Sequence, residues 1–165
     1  SKDHWINDPV KGGGAILGEG CHFYDYCNWI IGSEPVEFSA NMISSKGEAI
    51  IDQNNVIGTM KYKDGSIATI IYSTMGNQEF PKERIEIFND GIVIAIDDFT
   101  KIDVVGSEIK GKSLNSIEKG HFEMLEAYVK FLQGKGDNED LPMIEDGVLA
   151  TICAVKILEA AKNKM

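Results

Sequence analysis

Val56-Ile57-Gly58-Thr59-Met60-Lys61-Tyr62, then Lys63-Asp64-Gly65, then Ser66-Ile67-Ala68-Thr69-Ile70-Ile71-Tyr72-Ser73-Thr74-Met75 is the stretch that decides the fold. Two runs rich in β-branched and aromatic residues flank a three-residue joint ending on glycine, which is the pattern of a hairpin. The arrangement returns at Arg84 to Phe88 and Ile92 to Asp97, joined by Asn89-Asp90-Gly91, and Lys101 to Val105 adds a further run. Upstream, Pro35 to Ile43 alternates Val36, Phe38 and Ala40 against Glu37, Ser39 and Asn41, the period of a half-buried strand. Strands joined by tight turns run antiparallel, because a parallel pair needs a crossover of a dozen residues or more. The middle of the chain is therefore a meander of five to six strands, and a βαβ array is excluded.

Outward from the meander the period changes. Toward the start, Trp5 to Gly20 carries Asp8-Pro9 and Gly12-Gly13-Gly14 and reads as a loop. From His22 the apolar residues Phe23, Cys27, Ile30 and Ile31 share a helical face, and Gly32 supplies a left-handed stop. Toward the end, Phe122, Leu125, Tyr128, Val129 and Leu132 form one helical stripe, closed by Gly134, and Ile144, Val148, Ile152, Val155 and Leu158 form another. The polar patch from Gly134 to Asp140 is short enough to be a connector. These elements predict a single α+β domain over residues 1–165: one open, mainly antiparallel sheet with helices packed on one face, a two-layer sandwich. The other face of that sheet also carries apolar residues, since Ile92 and Ile94 cannot share a side with Val93 and Ala95. An uncovered apolar sheet face predicts homo-oligomerisation through it.

Composition narrows the function. Of 165 residues 43% are apolar and 25% charged, enough to bury a core but too short for a complete two-domain enzyme. The net charge is −10 and Arg84 is the single arginine, so there is no basic fork cluster to grip phosphates, and nucleic acid is not expected as a partner. The longest run without a charged residue, Gly65 to Gln78, is too short and too polar to span a membrane. Cys21, Cys27 and Cys153 are an odd, scattered set that suits a reduced cytoplasmic setting better than a disulfide framework. The chain opens on Ser1 with no apolar signal core behind it, which reads as a fragment whose beginning lies elsewhere.

The densest cluster of reactive side chains is Glu19-Gly20-Cys21-His22 followed by Asp25, where the glycine-rich segment turns into the short helix. Free amides and the positive end of a helix dipole disfavour an imidazolium, so His22 at such a junction would stay neutral and able to accept a proton. Asp25 lies one turn on and would orient the ring. On residue type alone, a packed or capping histidine is the competing reading. Cys21, His22, Asp25 and Cys27 are poor metal ligands as a set, because the two cysteines sit about 240° apart around a helix. Cys21 as a nucleophile beside His22 is disfavoured as well, since adjacent residues point apart. Trp5, Asn7 and Lys11 would line a polyol pocket with an aromatic face and polar groups.

Trp5-x-x-Asp8-Pro9, Gly12-Gly13-Gly14, Gly20-x-His22-x-x-Asp25 and the closing Gly32 resemble the C-terminal domain of the Gfo/Idh/MocA oxidoreductases, which include inositol dehydrogenases and many sugar dehydrogenases. Phe122-Glu123-x-x-x-x-Tyr128 to Gly134 and Glu145-Asp146-Gly147 are similar to that family's last two helices. The resemblance implies an open sheet at the oligomer interface and a loop-to-helix junction facing a nicotinamide held by a separate N-terminal Rossmann domain. It also implies a catalytic histidine at His22, sharing proton transfer with a lysine of a Glu-Lys-Pro motif. That motif is absent, because Glu118-Lys119 is followed by Gly120, and no Gly-x-Gly-x-x-Gly follows a strand. Many members also place an aspartate four residues before the histidine, where this chain has Gly18, and Glu19 is the nearest substitute.

The expectation is thus the C-terminal domain of an NAD- or NADP-dependent oxidoreductase acting by hydride transfer on a sugar, polyol or related hydroxy compound. His22 and Asp25 would be catalytic, and Glu19, Trp5, Asn7 and Lys11 would contact substrate. The cofactor would be bound mainly outside this chain, without a metal, and the 165 residues alone would be inactive. The alternative is a non-catalytic binding or dimerisation module on the same scaffold.

Overall fold

The computed structural model describes residues 4–8, 10–43, 53–136 and 141–163, so Pro9 and the acidic run 137–140 lie outside the described residues. A single 3₁₀ turn, Trp5–Asn7, and a π turn, Ile16–Gly20, lead into α1 (Cys21–Ile31). There follow β1 (Pro35–Met42), β2 (Asn55–Tyr62), β3 (Ile67–Ser73), β4 (Arg84–Asn89), β5 (Ile92–Asp97), β6 (Lys101–Val105) and β7 (Lys112–Ser113). Helices α2 (His121–Leu132) and α3 (Ile144–Lys162) close the chain. The predicted α+β class and antiparallel pairing hold throughout. The strands divide, however, between a three-stranded sheet in the order β1-β2-β3 and a four-stranded sheet in the order β4-β5-β6-β7. The chain correspondingly forms two compact units, one of residues Ser1–Met75 with Pro142–Met165 and one of Gly76–Leu141.

In the first unit α1 and α3 pack on one face of the β1–β3 sheet. The sheet turns Val56, Gly58, Met60 and Tyr62 of β2 inward, beside Ala40 of β1. The π turn meets them with Ile16 and the helices with Tyr24, Cys153, Ala154, Ile157 and Ala161, all nearly inaccessible to water. Full burial of each large side chain contributes roughly 1.5–3 kcal/mol. Two sequence expectations about these helices need correction. On α1 the most buried residue is Tyr24, and the inward stripe is Cys21, Tyr24, Cys27 and Ile31, so Cys27 and Ile31 of the expected stripe face the core whereas Phe23 and Ile30 are not part of it. On α3 the inward face is the small-residue one, Ala150, Cys153, Ala154, Ile157, Leu158 and Ala161, whereas Ile144, Val148, Ile152 and Val155 are exposed. The helix is apolar nearly all round, so periodicity alone could not choose a face. Small side chains won because they let the helix approach a sheet whose contact point is Gly58. The left-handed stop at Gly32 is observed, with φ 66°.

The outer face of this sheet carries Ile57, Ile67 and Ile71, each about half to three-quarters exposed, around a Thr59–Thr69 hydroxyl pair at 3.2 Å and a Lys61–Glu37 ion pair at 3.0 Å.

The second unit holds the four-stranded β4–β7 meander and α2. Asp90 at φ 45° and Gly91 at φ 81° make the β4–β5 turn, whose two left-handed residues match the twist of the strands. The register sets Ile85, Ile87, Ile94, Ile96, Ile102 and Val104 on one side. The opposite side holds Arg84 ion-paired to Glu86 and Asp97, and Lys101 to Asp103. Glu83 is buried and satisfied by Lys119 at 2.9 Å, with that ammonium 5.0 Å above the Phe99 ring. The expected inward stripe of α2 is not buried: Phe122, Leu125, Tyr128, Val129 and Leu132 are all exposed.

Candidate functional site

The glycine-rich approach segment is more ordered than its composition predicts. Asp8 accepts through Oδ1 from the amides of Val10 and Lys11, and through its carbonyl from those of Gly12 and Gly13. The loop is then clamped to the end of the sheet: buried Asn54 accepts the Ala15 amide at 2.8 Å and donates through Nδ2 to Asn7 Oδ1 at 2.8 Å. Glycine is required where the loop closes on itself, since a Cβ on Gly12 would lie 2.4 Å from the Ile6 Cα.

The boundary between loop and helix is also corrected. The π turn runs directly into α1, and Gly20 itself has helical angles, φ −58° and ψ −27°. His22 therefore sits inside one continuous helical run that begins near Ala15. The free amides and dipole end invoked to keep its ring uncharged lie more than a turn earlier.

His22 is exposed on the surface of this run, and Asp25 is half-buried one turn later. The Asp25 carboxyl is held above its ordinary range, chiefly by burial and next by the nearby Asp146 carboxylate, while His22 pulls it down. Asp146 comes from the first turn of α3, where its Oδ2 accepts the Met143 amide at 2.7 Å. The structure thus joins His22, Asp25 and Asp146 electrostatically. The Glu145-Asp146-Gly147 motif was visible in the sequence, but nothing in it announced that α3 delivers this carboxylate to α1.

Glu19, in the π turn, meets a second residue that the sequence reading left in the sheet. Tyr72 Oη on β3 donates to Glu19 Oε2 at 2.9 Å, and the Tyr72 ring lies 6.0 Å from that of Phe23 at a tilt. Burial and Glu19 both push the Tyr72 phenol well above its usual range, so the hydroxyl keeps its proton and acts as a donor. The alternation that turns Ala68, Ile70 and Tyr72 inward was the available signal.

The remaining candidates are less tightly drawn in. Trp5 is exposed, with a tilted ring contact to His4 at 5.7 Å, and the Lys11 side chain is exposed. Among the described residues no hydrogen bond or ring contact ties either to His22. Cys27 is pushed up to about 11 by burial, and burial likewise raises Cys21 and Cys153, so none of the three is a ready thiolate. Among the described residues no group of three or more His, Cys, Asp or Glu is placed to hold a metal ion. No described helix is long and apolar enough to cross a membrane. An open groove of about 630 Å³ along α3, lined by Ile144, Val148 and Ile152, contains none of the candidate residues.

Gly18 occupies a place of its own. A Cβ there would lie 2.9 Å from Ile6 Cδ1, so the Ile6 side chain fills the space in which an acidic side chain at this position would begin. A dinucleotide cradle does not fit the described residues either. All strand pairs are antiparallel, and Gly18 and Gly20 belong to the helical π turn instead of a strand-to-helix turn.

Residues 1–92 match the family described as the GFO/IDH/MocA C-terminal domain. Solved structures agree in fold over nearly the whole chain. An aldose–aldose oxidoreductase from Caulobacter crescentus, complexed with glycerol, superposes with a TM-score of 0.76 at 15% identity, covering 100% of this chain and 50% of that one. A UDP-N-acetylglucosamine 3-dehydrogenase from Acidithiobacillus ferrooxidans gives 0.70 at 14% identity, covering 94% and 50%. The WlbA dehydrogenase from Bordetella pertussis, in complex with NADH and UDP-GlcNAcA, gives 0.62 at 12% identity, covering 92% and 44%. This chain therefore spans about half the length of the solved proteins that it matches. No curated protein matches the sequence.

Proposed function

Because the chain belongs to the GFO/IDH/MocA C-terminal domain family, we propose that it is the substrate-binding and oligomerisation domain of an NAD- or NADP-dependent oxidoreductase acting on a sugar, polyol or related hydroxy compound. The observation that carries this reading is the exposed imidazole of His22 beside Asp25, on a helical run clamped by the glycine-rich segment. An imidazole can accept a proton at one ring nitrogen and release one from the other, so it serves both directions of proton exchange with a substrate hydroxyl. Asp25 stabilises the protonated ring. Glu19, Trp5, Asn7 and Lys11 supply contacts to the remaining hydroxyls. The hydride acceptor belongs to a nicotinamide held outside these residues, and the 165 residues alone are accordingly inactive.

The same reading assigns the outer face of the β1–β3 sheet to contact between copies of the protein, supported by exposed Ile57, Ile67 and Ile71. A cytosolic setting fits the three free cysteines. One observation favours a non-catalytic module on this scaffold: Ile6 stands where the aspartate would begin.

Turnover of the full-length polypeptide with NAD or NADP over a panel of sugars and polyols, with and without His22→Ala, separates the two. A loss of at least ~10²-fold in kcat for the variant supports general acid–base work by His22. Unchanged turnover removes His22 from the chemistry, and no turnover with any panel member favours the module.

A further inference from the structure

Resting on the reading above, we propose that Tyr72 is a positioning residue of this site, fixing the Glu19 carboxylate through its hydroxyl so that Glu19 accepts a hydrogen bond from a substrate hydroxyl beside His22. Tyr72 is well placed for the task. Its backbone is locked in the β2–β3 ladder opposite buried Val56, and its ring rests against Phe23. The Oη to Oε2 distance of 2.9 Å spans 53 positions of sequence, so the bond ties the π turn to the sheet. Phe23 follows Glu19 by four residues and His22 follows it by three. One helical run therefore presents the carboxylate on the Tyr72 side and the imidazole on the neighbouring exposed side.

A phenol that retains its proton can only donate to the carboxylate, which fixes the orientation of the acceptor that a polyol hydroxyl would meet. The carboxylate missing at Gly18 is thus supplied one residue later, and a residue in another element compensates for its different direction.

The test uses the full-length polypeptide with its nicotinamide cofactor, myo-inositol and glucose as probes, and the variants Tyr72→Phe, Glu19→Ala and the double variant. Loss of a hydrogen bond to a charged group predicts that Tyr72→Phe raises KM about 10-fold or more. The kcat should stay within about twofold, because the proton-transfer residue is untouched. The double variant should match Glu19→Ala alone, since without the Glu19 side chain the Tyr72 hydroxyl has no acceptor there to hold. Calorimetric titration of the probes onto the cofactor-loaded proteins should show the same loss in affinity. A wild-type KM in Tyr72→Phe, or independent effects that multiply in the double variant, overturns the proposal. If His22→Ala abolishes turnover while Tyr72→Phe behaves as wild type, only the role of Tyr72 fails. If the unaltered protein neither binds nor turns over either probe, Tyr72 and the oxidoreductase reading fail together for these substrates.

Discussion

Replacing Gly58 by alanine tests the contact on which the first unit is assembled. Gly58 lies in the central strand β2, opposite Ala40 on one side and Ile70 on the other. A methyl group there would stand 2.9 Å from Ile157 Cδ1, 3.0 Å from its Cγ2 and 3.4 Å from its Cγ1. Ile157 is wholly buried and β-branched, so it cannot rotate away freely, and relief requires α3 to lift from the sheet. Overpacking of this kind costs about 1–3 kcal/mol. Removing a glycine offsets about 0.4–1 kcal/mol through the unfolded state, leaving a net loss of roughly 1–2 kcal/mol. For a domain of this size that corresponds to a fall in Tm of about 3–6 °C. Ile157→Val deletes Cδ1, the nearest atom, and alone costs about 0.5–1.5 kcal/mol. In combination the two changes should recover at least ~0.5 kcal/mol relative to their sum. Urea unfolding of the four proteins measures the cycle. Wild-type stability in Gly58→Ala, or strict additivity in the double variant, would refute the claim that α3 docks by its small-residue face over this glycine.

Three further outcomes are expected. Because the folded-state pKa of Asp25 is raised, chiefly by burial, its contribution to stability is present in acid and is lost as pH rises through the raised value. Asp25→Asn should therefore flatten the decline in urea midpoint above about pH 4, and a steeper decline would reverse the sign of the argument. Gly18→Asp should lower Tm only slightly, because the atom its Cβ would meet at 2.9 Å is the movable end of the half-buried Ile6 side chain, and the part of the penalty due to that contact should vanish in an Ile6→Ala background. An equal penalty in both backgrounds would show that Ile6 is not the obstacle. Ile71→Lys, on the exposed side of β3, should shift the full-length protein to a smaller species in sedimentation velocity, and an unchanged coefficient would take this face out of the assembly.

What the sequence disclosed follows from which forces are local. The meander was legible because a turn such as Asn89-Asp90-Gly91 specifies its own geometry, and antiparallel pairing then follows from chain length alone. The division into two sheets was not legible, since nothing between Ser73 and Arg84 announces where hydrogen bonding to the next strand stops. Helix faces were legible only as far as one face was apolar. In α3 bulky and small apolar residues compete, and the choice is made by Gly58 across the interface, a contact 99 positions away in sequence. The site shows the same limit. His22, Asp25 and Glu19 are close in sequence and could be grouped by spacing, whereas Tyr72 reaches Glu19, and Asp146 reaches Asp25, only through the fold.

The π turn explains why spacing misled at the junction. A loop that becomes a helix at Cys21 would have placed His22 over free amides, and that geometry motivated an uncharged base. Because helical structure starts near Ala15, the extra turn consumes those amides. It also carries Glu19 round toward β3, where Tyr72 receives it. One feature thus removes the dipole from His22 and delivers a carboxylate to the sheet. The electrostatics that the fold does set fall on Asp25, raised chiefly by burial and next by Asp146 of α3, and lowered by His22. On this reading, the proton chemistry of the site depends on how α3 seats against the sheet, so the Gly58–Ile157 contact stands upstream of it. A change that lifts α3 should alter the behaviour of Asp25 before it unfolds the chain.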